Sequence, residues 1–106
     1  MLTYKTITAS EALELIVSTP DTAIIDVRTR DEFNKAPIIC AFNLPLYEML
    51  ELLENYAFAP DQPIIIHCQS GYRSHVAAKV LTYLGYTNIY AVSEDLVVSL
   101  SSSLRA

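Results

Sequence analysis

Short, almost wholly apolar runs recur along the chain, and segments with helical spacing separate them. The run Ile64–His67 shows this pattern well, because three β-branched residues stand together between a proline turn and a polar loop. Continuous apolar runs of this length are typical of strands that are covered on both faces. The pattern therefore predicts five strands, at residues 4–7, 23–27, 40–43, 64–67 and 88–92.

The segments between these runs carry helix start and stop signals. Thr8 and Glu11 form a capping box, in which a hydroxyl caps the helix and a carboxylate three residues later reaches back. Pro20 ends this first helix, and Gly85 is a suitable C-terminal cap for the helix after the polar loop. We predict a first helix that ends near residues 18–20 and further helices at residues 31–35, 46–55, 74–84 and 96–103. The residues expected on the apolar, inward faces of these helices include Val17, Leu50 and Leu84.

Strands and helices alternate throughout, which is the order that builds a mostly parallel sheet with helices on both faces. We expect residues 1–106 to form a single α/β domain, a three-layer α/β/α sandwich with a mostly parallel five-stranded sheet. Ligands of such sheets bind outside the carboxyl ends of the strands. Asp26 and Cys68 both stand at such ends, so they are predicted to share one edge of the sheet.

Composition narrows the class of protein. Hydrophobic residues make up 52% of the chain and the net charge is −5, without a basic run that could follow a nucleic-acid backbone. No apolar run approaches the roughly 18 residues that span a bilayer. The first residues lack the features of a signal peptide, so we expect a cytoplasmic protein with no membrane partner. Cys40 and Cys68 are then expected to be free thiols, and no His/Cys spacing resembles a zinc site.

The polar loop after the fourth predicted strand carries the candidate chemistry. Its backbone N–H groups and the dipole of the following helix would favour a thiolate on Cys68, which we predict to be a nucleophile. Arg73 would bind an anionic substrate through a fork of hydrogen bonds. The other loop positions expected to contact the substrate are Gln69, Ser70, Gly71, Tyr72 and Ser74. The alternative is that Cys68 is only a small buried residue at a strand end.

Four segments together resemble the rhodanese family of sulfurtransferases. The stretch Cys68-x-x-Gly71-x-Arg73-Ser74, after an apolar strand, is similar to the active-site loop of that family. The resemblance covers essentially the whole chain and implies a rhodanese-like fold. Its other segments are Ile25-Asp26-Val27-Arg28 with Glu32-Phe33, Ala41-Phe42-Asn43-Leu44-Pro45, and Leu84-Gly85-Tyr86 with Asn88-Ile89-Tyr90.

The resemblance implies sulfur transfer through a persulfide on Cys68. In the family, the cysteine takes the outer sulfur of thiosulfate or another donor and passes it to cyanide, a thiol or a protein cysteine. The loop amides that hold the persulfide correspond here to residues 69–74. The resemblance implies no metal or organic cofactor. The expected partners are a small anionic sulfur donor or a protein persulfide, and a thiol acceptor such as a small redox protein.

The length of the loop separates two chemistries on this fold. Related phosphatases and arsenate reductases have one residue more between the cysteine and the arginine, which makes room for a tetrahedral oxyanion. The shorter spacing from Cys68 to Arg73 suits a single sulfur atom and favours sulfur transfer. A non-catalytic binding or regulatory module that has kept the loop is the second hypothesis, and a phosphatase or arsenate reductase is the third.

Two departures from the family pattern change what we expect of the site. Glu94-Asp95 stands where the family has a Gly-Gly pair close to the active-site loop. Two carboxylates there would repel thiosulfate, so we expect poor turnover with thiosulfate and a protein persulfide as the donor. Cys40 stands where the family has a glycine, and it is either a resolving thiol for Cys68 or a buried small residue at the start of a strand.

Two charged side chains near the loop have alternative roles. Asp26 is expected to support the site by accepting hydrogen bonds from loop amides or by pairing with an arginine. Arg28 either lines the mouth of the site and binds anions, or forms a surface ion pair with Asp31 or Glu32.

Two neighbours of the nucleophile complete the expected site. Ser74 is placed to cap the following helix, and its hydroxyl could also donate to Cys68. His67 precedes Cys68 on a strand, so its side chain points to the opposite face. We expect His67 to pack in the core rather than to act as a base.

Overall fold

The computed structural model describes residues 3–69 and 71–96, and the described residues form one five-stranded sheet. Every neighbouring pair of strands is parallel, in the order β1-β5-β4-β2-β3, which confirms the predicted α/β class. Each strand lies within one residue of its predicted bounds at either end. The strands are β1 (Lys5–Ile7), β2 (Ala23–Asp26), β3 (Ala41–Asn43), β4 (Ile64–His67) and β5 (Ile89–Val92).

Within the described residues, four α-helices connect the strands: α1 (Ala9–Ser18), α2 (Arg30–Lys35), α3 (Met49–Leu52) and α4 (Tyr72–Tyr83). The predicted capping box of α1 is confirmed, because Thr8 and Glu11 exchange side-chain to backbone hydrogen bonds. Gly85 follows the last turn of α4, as expected. Its φ of +102° is a conformation in which a residue with a side chain would be strained. None of the helices in the described part of the chain is long and apolar enough to cross a membrane.

Some helix predictions were wrong. The segment 46–55 is not one helix, since short 3₁₀ turns at Leu46–Glu48 and Leu53–Asn55 flank α3. Their tighter turns change which side chains face inward, and Leu50 is 59% exposed instead of buried. Val17 and Leu84, at the ends of α1 and α4, are also exposed. The predicted last helix, 96–103, lies outside the described residues except for its first position.

The sheet separates two apolar clusters, and β4 contributes to both. Ile64, Ile66 and Cys68 pack on the side that α4 covers, whereas Ile65 packs on the side of α1. This alternation follows from the pleat of a strand, in which successive side chains point to opposite faces. It places the sulfur of Cys68 on the α4 side of the sheet and leaves His67 on the other side.

The strand ends that frame the site are in register. Asp26, the last residue of β2, is aligned with Asn43 on one side and with His67 on the other. The Asn43 amide donates hydrogen bonds to the backbone carbonyls of Asp26 and Arg28, at 3.1 and 3.0 Å. The carboxyl ends of β2, β3 and β4 therefore form one continuous edge, and the loop that begins at Cys68 leaves the sheet from this edge.

Cys40 occupies a turn that leads into β3. The Ala41 N–H donates to the Ile38 carbonyl at 3.2 Å, and Cys40 stands at the third position of this turn with a φ of +67°. The side chain is exposed, so the prediction of a buried residue at a strand start was wrong. A left-handed third position is the place of glycine in such a turn, which explains why a glycine is expected there.

We expect Cys40→Gly to stabilise the fold. The left-handed conformation costs an L-residue about 1–2 kcal/mol, and the extra freedom of glycine in the unfolded chain offsets part of this gain. Urea unfolding should therefore show an increase of about 0.5–1 kcal/mol in the free energy of unfolding. Cys40→Ala removes the same thiol but keeps the Cβ, and it is the matched control. Equal gains in both variants would contradict the backbone explanation.

Candidate active site

Cys68 directly follows β4, and two backbone N–H groups of the loop converge on its sulfur. Gly71 and Ser74 donate to Cys68 Sγ at 3.0 and 3.2 Å. The residue is completely buried. Because a charged acceptor makes the stronger hydrogen bond, two N–H dipoles on one atom favour a negatively charged sulfur. The loop can therefore stabilise a thiolate at this position.

Gly71 gives the loop its shape. Its φ of +86° lies in the left-handed region, and a Cβ added there would meet no atom within 4 Å. The backbone conformation, not crowding, therefore calls for glycine at this position. Gly71 is also the N-cap residue of α4, so the helix starts at Tyr72 and not at Ser74 as expected.

Ser74 acts on the sulfur through its backbone and on the loop through its side chain. Its hydroxyl donates to the Gly71 carbonyl at 2.9 Å. Ser74 was expected to cap the helix and to offer its hydroxyl to Cys68. Gly71 is the N-cap residue instead, and the Ser74 hydroxyl donates to the Gly71 carbonyl. Since Ser74 is fully buried, this hydrogen bond holds the first turn of α4 in the geometry that directs both N–H groups at the sulfur.

Arg73 is engaged within the protein. Its Nη1 and Nη2 atoms donate to Glu32 Oε1 and Oε2 at 2.7 and 2.9 Å, in the parallel arrangement that guanidinium and carboxylate groups favour. These hydrogen bonds to Glu32 raise the pKa of Arg73 against the effect of partial burial, and attraction to Cys68 and Asp26 adds to the rise. The expected contact of Arg73 with an anionic substrate remains a prediction, and such an anion would have to share the guanidinium with Glu32.

Glu32 contributes to the site, although no role for it there was expected from the sequence. It completes a second capping box, in which Thr29 and Glu32 cap the start of α2. The same carboxylate reaches Arg73, which is 41 positions later in the chain. The hydrogen bonds from Arg73 and the Thr29 backbone lower the pKa of Glu32 to about 2. The pattern Thr29-x-x-Glu32 was a visible helix-start signal, but nothing local in it indicates the arginine.

Asp26 and Arg28 form a buried ion pair beside the loop. The Arg28 side chain contacts both carboxylate oxygens of Asp26, with its Nη2 atom at 2.7 Å from Oδ2. The Arg28 backbone N–H also donates to Asp26 Oδ1. Burial raises the pKa of Asp26, but hydrogen bonds from His67 and Arg28 outweigh it and hold the pKa below the usual value. Asp26 thus takes the arginine-pairing arrangement that was one of its two alternatives.

The placement of Arg28 differs from both expectations. The residue is 4% exposed, so it lies beneath the surface instead of at the mouth of the site. Its partner is Asp26, neither Asp31 nor Glu32, and its Nη2 atom also donates to the Ala36 carbonyl at 2.7 Å. A buried carboxylate two residues earlier competes better for a guanidinium than a solvated surface carboxylate does.

His67 is buried, as predicted, and connects two parts of the site edge. The Leu96 N–H donates to His67 Nε2 at 3.2 Å, which places the proton of a neutral ring on Nδ1. That atom lies 3.4 Å from Asp26 Oδ2. Asp95 Oδ1 also approaches Nε2, at 3.6 Å. His67 therefore joins the end of β2 to the segment that follows β5.

The segment after β5, where the family pattern has a glycine pair, is fastened to its neighbours. The Ser93 N–H and hydroxyl donate to the Ile7 carbonyl, at 2.9 and 3.1 Å. Glu94 Oε1 accepts a hydrogen bond from the Ala9 N–H at 2.9 Å, at the start of α1. The Glu94 carboxylate is therefore directed at the amino end of a helix, where its charge is favourable.

The remaining predicted positions lie on the outside of the loop or cannot be described. Gln69 is exposed, and Tyr72 is 73% exposed, so both side chains are available to a second molecule. Ser70 lies outside the described residues. The loop thus presents its backbone to the sulfur and these two side chains to the surroundings.

A family model for the rhodanese-like domain matches residues 8–97. The match includes the whole site edge, from the strand end at Asp26 to the segment around Glu94. The chain belongs to the rhodanese-like domain family. The predicted resemblance is therefore confirmed, and sulfur transfer is the activity that this family membership supports.

Individual rhodanese-like relatives agree with this assignment. A thiosulfate sulfurtransferase, GlpE, of Actinobacillus succinogenes is 31% identical over 91 residues, which are 86% of this chain and 79% of that protein. A mitochondrial protein of Schizosaccharomyces pombe, named as a candidate thiosulfate sulfurtransferase, is 35% identical over 79 residues, or 64% of this chain. The match spans only 56% of that protein's length.

A solved structure shows the same fold. The crystal structure of a rhodanese-related protein from Thermoplasma volcanium has a TM-score of 0.76 and 25% sequence identity. The superposition covers 93% of each chain.

The Glu32–Arg73 pair predicts a pH dependence of stability. A carboxylate whose pKa falls from an ordinary 4.5 to about 2 on folding stabilises the protein above pH 4.5, and this contribution is lost as the pH falls through 2. Glu32→Gln should lower the free energy of unfolding by about 1 kcal/mol at neutral pH, because the pair is partly exposed. The difference from the wild type should shrink as the pH is lowered through this range.

Urea unfolding at a series of pH values tests this prediction. Glu11→Gln changes the capping box of α1 without removing an arginine partner, so it is the matched control and should cost less. A loss in Glu32→Gln that stays constant from pH 7 to pH 2 would contradict the assigned titration.

Proposed function

We propose that this protein is a sulfurtransferase that carries a sulfane sulfur as a persulfide on Cys68. The observation that carries the proposal is the pair of N–H groups from Gly71 and Ser74 on the sulfur. The same groups that favour a thiolate are suited to hold the terminal sulfur of a persulfide, which is also anionic. Membership of the rhodanese-like family supports the reaction class.

The transfer takes place in two steps, and each step is a displacement at sulfur. The Cys68 thiolate attacks the outer sulfur of the donor, a sulfur–sulfur bond forms, and the donor leaves with the electron pair of the bond that breaks. From thiosulfate the leaving group is sulfite, and from a persulfide it is a thiolate. The acceptor thiolate or cyanide then attacks the terminal sulfur and releases Cys68 as the thiolate. The covalent intermediate divides one difficult transfer into two easier ones.

The charges around the loop favour a persulfide donor over an oxyanion donor. Both terminal nitrogens of Arg73 are bound to Glu32, and Arg28 is bound to the buried Asp26. Thiosulfate would therefore have to compete with a carboxylate for the guanidinium group of either arginine. A sulfur that arrives on a thiol needs no such cation, because the loop amides alone stabilise the charge on sulfur. The shorter loop argues in the same direction against a phosphatase or an arsenate reductase.

A binding or regulatory module is the second candidate function. Complete burial of Cys68 favours it, because a nucleophile must be reached by its substrate. The intact convergence of N–H groups on the sulfur counts against it. Detection of a persulfide decides between the two functions.

Incubation with a persulfide donor should add one sulfur atom to Cys68. Intact-mass spectrometry should show the added mass, and cyanide should remove it as thiocyanate. Cys68→Ser should abolish the adduct, whereas Cys40→Ser should retain it and is the matched control. Absence of an adduct from every donor would overturn sulfur transfer in favour of the module, and loss of the adduct in Cys40→Ser would assign the chemistry to the other thiol.

The choice of donor should be visible in rates. With cyanide as the acceptor, we expect slower steady-state turnover of thiosulfate than the Actinobacillus succinogenes relative shows under the same conditions. Loading of Cys68 by a small-thiol persulfide should be faster than loading by thiosulfate at equal concentration. Equal or faster thiosulfate loading would contradict the argument from the engaged arginines.

A further inference from the structure

Acidic residues are distributed unevenly along the chain. The protein has a net charge of −5, yet no Asp or Glu occurs between Gln62 and Ser93. This stretch contains β4, the catalytic loop, α4 and β5, and its lysine and arginine are Lys79 and Arg73. The face formed by the catalytic loop and α4 therefore has no acidic residue of its own, and this side of the molecule includes the residues that hold the sulfur. Two acidic residues from neighbouring segments, Glu32 and Glu94, are bound to Arg73 and to the Ala9 N–H.

A cavity of about 490 Å³ lies on this side, against the catalytic loop. Its described lining residues are Gly71, Tyr72, His75, Val76, Lys79 and Ser93. Gly71 is the residue whose N–H donates to Cys68 Sγ, so the cavity borders the loop next to the buried sulfur.

A second cavity of about 490 Å³ continues along α4. It is lined by Thr3, Tyr4, Lys79, Thr82 and Tyr83, so Lys79 borders both cavities. The Tyr4 hydroxyl and His75 Nδ1 are hydrogen-bonded at 2.8 Å, which joins the approach to β1 to the first turns of α4. We call the two cavities together the α4 groove.

The side chains of the α4 groove are of the kind that binds polypeptides. Tyr72 and Tyr83, one at each end of α4, are 73% and 82% exposed. Exposed tyrosines offer apolar area and a hydrogen-bonding hydroxyl at a low entropic cost, and they are enriched at protein interfaces. Lys79 is exposed between them, and among the described residues it forms no ion pair with a carboxylate. None of the described residues that line the groove is acidic.

We infer that the α4 groove binds an extended acidic segment of the protein that exchanges sulfur with Cys68. This inference rests on the proposed function. The twelve residues of α4 extend over about 18 Å, which is the length of about five residues of an extended chain. The partner's cysteine lies at the Gly71 end, and its carboxylates lie along the groove opposite Lys79.

Charge and length together select this occupant. A low-molecular-mass thiol would fill only the cavity beside Gly71 and would leave the second cavity without a role. A basic segment would meet Lys79 without a compensating carboxylate. An acidic segment is attracted to this side, and the excess negative charge of the remaining surface repels it from other approaches.

Binding is tested with a peptide of about five residues in which serine replaces the cysteine and acidic residues follow it. We expect amide resonances of Tyr72, His75 and Lys79 to shift on titration, and Lys79→Glu to weaken the affinity about threefold to tenfold. Lys35→Glu makes the same charge change at the exposed end of α2 and is the matched control. Equal weakening by both variants, or none by Lys79→Glu, would overturn the inference.

Transfer rates test the same groove in the functional reaction. From preformed Cys68 persulfide, an acidic cysteine peptide should accept sulfur faster than a lysine-containing peptide of equal length, and added salt should reduce the difference. Lys79→Glu should remove this preference but leave transfer to 2-mercaptoethanol unchanged. An unchanged peptide preference in Lys79→Glu would refute the groove while leaving the proposed function intact.

If no persulfide forms, the proposed function fails, and the serine peptide titration alone still decides whether the groove binds acidic segments. If light scattering shows a dimer of the protein that Lys79→Glu disperses, the occupant is a second copy of the chain and the inference is wrong.

Discussion

The buried carboxylate of Asp26 is the group on which the site edge of the sheet depends. A charge without solvent must be compensated by its neighbours, and Asp26 takes its compensation from Arg28 and His67. Arg28 extends to the Ala36 carbonyl after α2, and His67 accepts the Leu96 N–H after β5. One carboxylate therefore orders the ends of two adjacent strands and the segments that leave the sheet beside them.

A second carboxylate connects this frame to the segment that follows Cys68. Glu32 caps α2 through Thr29 and simultaneously binds Arg73, the second residue of α4. The position of α2 is thereby coupled to the first turn of α4, where the N–H groups that face the sulfur originate. The pair explains why an arginine is useful at this position even when no anionic substrate is bound.

The strands were predictable because each is an apolar run bounded by turn residues, and Ile64–His67 was predicted at its exact bounds. The start of α4 was not predictable, because the N-cap residue Gly71 has a left-handed conformation and no side chain caps the helix. The period of a continuous α-helix predicted that Leu50 faces inward, but the 3₁₀ turns around α3 do not follow that period.

Contacts between side chains that are far apart in the sequence could not be predicted either. Cys68 was found at the head of its loop because its position depends on a strand and a turn that are local. The pairing of Arg73 with Glu32 joins residues 41 positions apart, although other carboxylates, such as Asp61 and Glu94, lie nearer to Arg73 in the sequence. The sequence gives the positions of the carboxylates along the chain, but the packing of α2 against the loop determines which carboxylate contacts Arg73.

The departures from the family pattern acquire a physical meaning from these contacts. Glu94 was expected to repel an anionic donor, yet its carboxylate accepts the Ala9 N–H at the start of α1, where the helix dipole stabilises it. The carboxylates at the site are thus committed to internal partners, and so are Arg28 and Arg73. What faces the sulfur itself is a pair of uncharged N–H groups. Such a pair discriminates little between donors by their net charge, so in the proposed reaction recognition of the donor would depend on contacts outside the loop, such as those of the α4 groove.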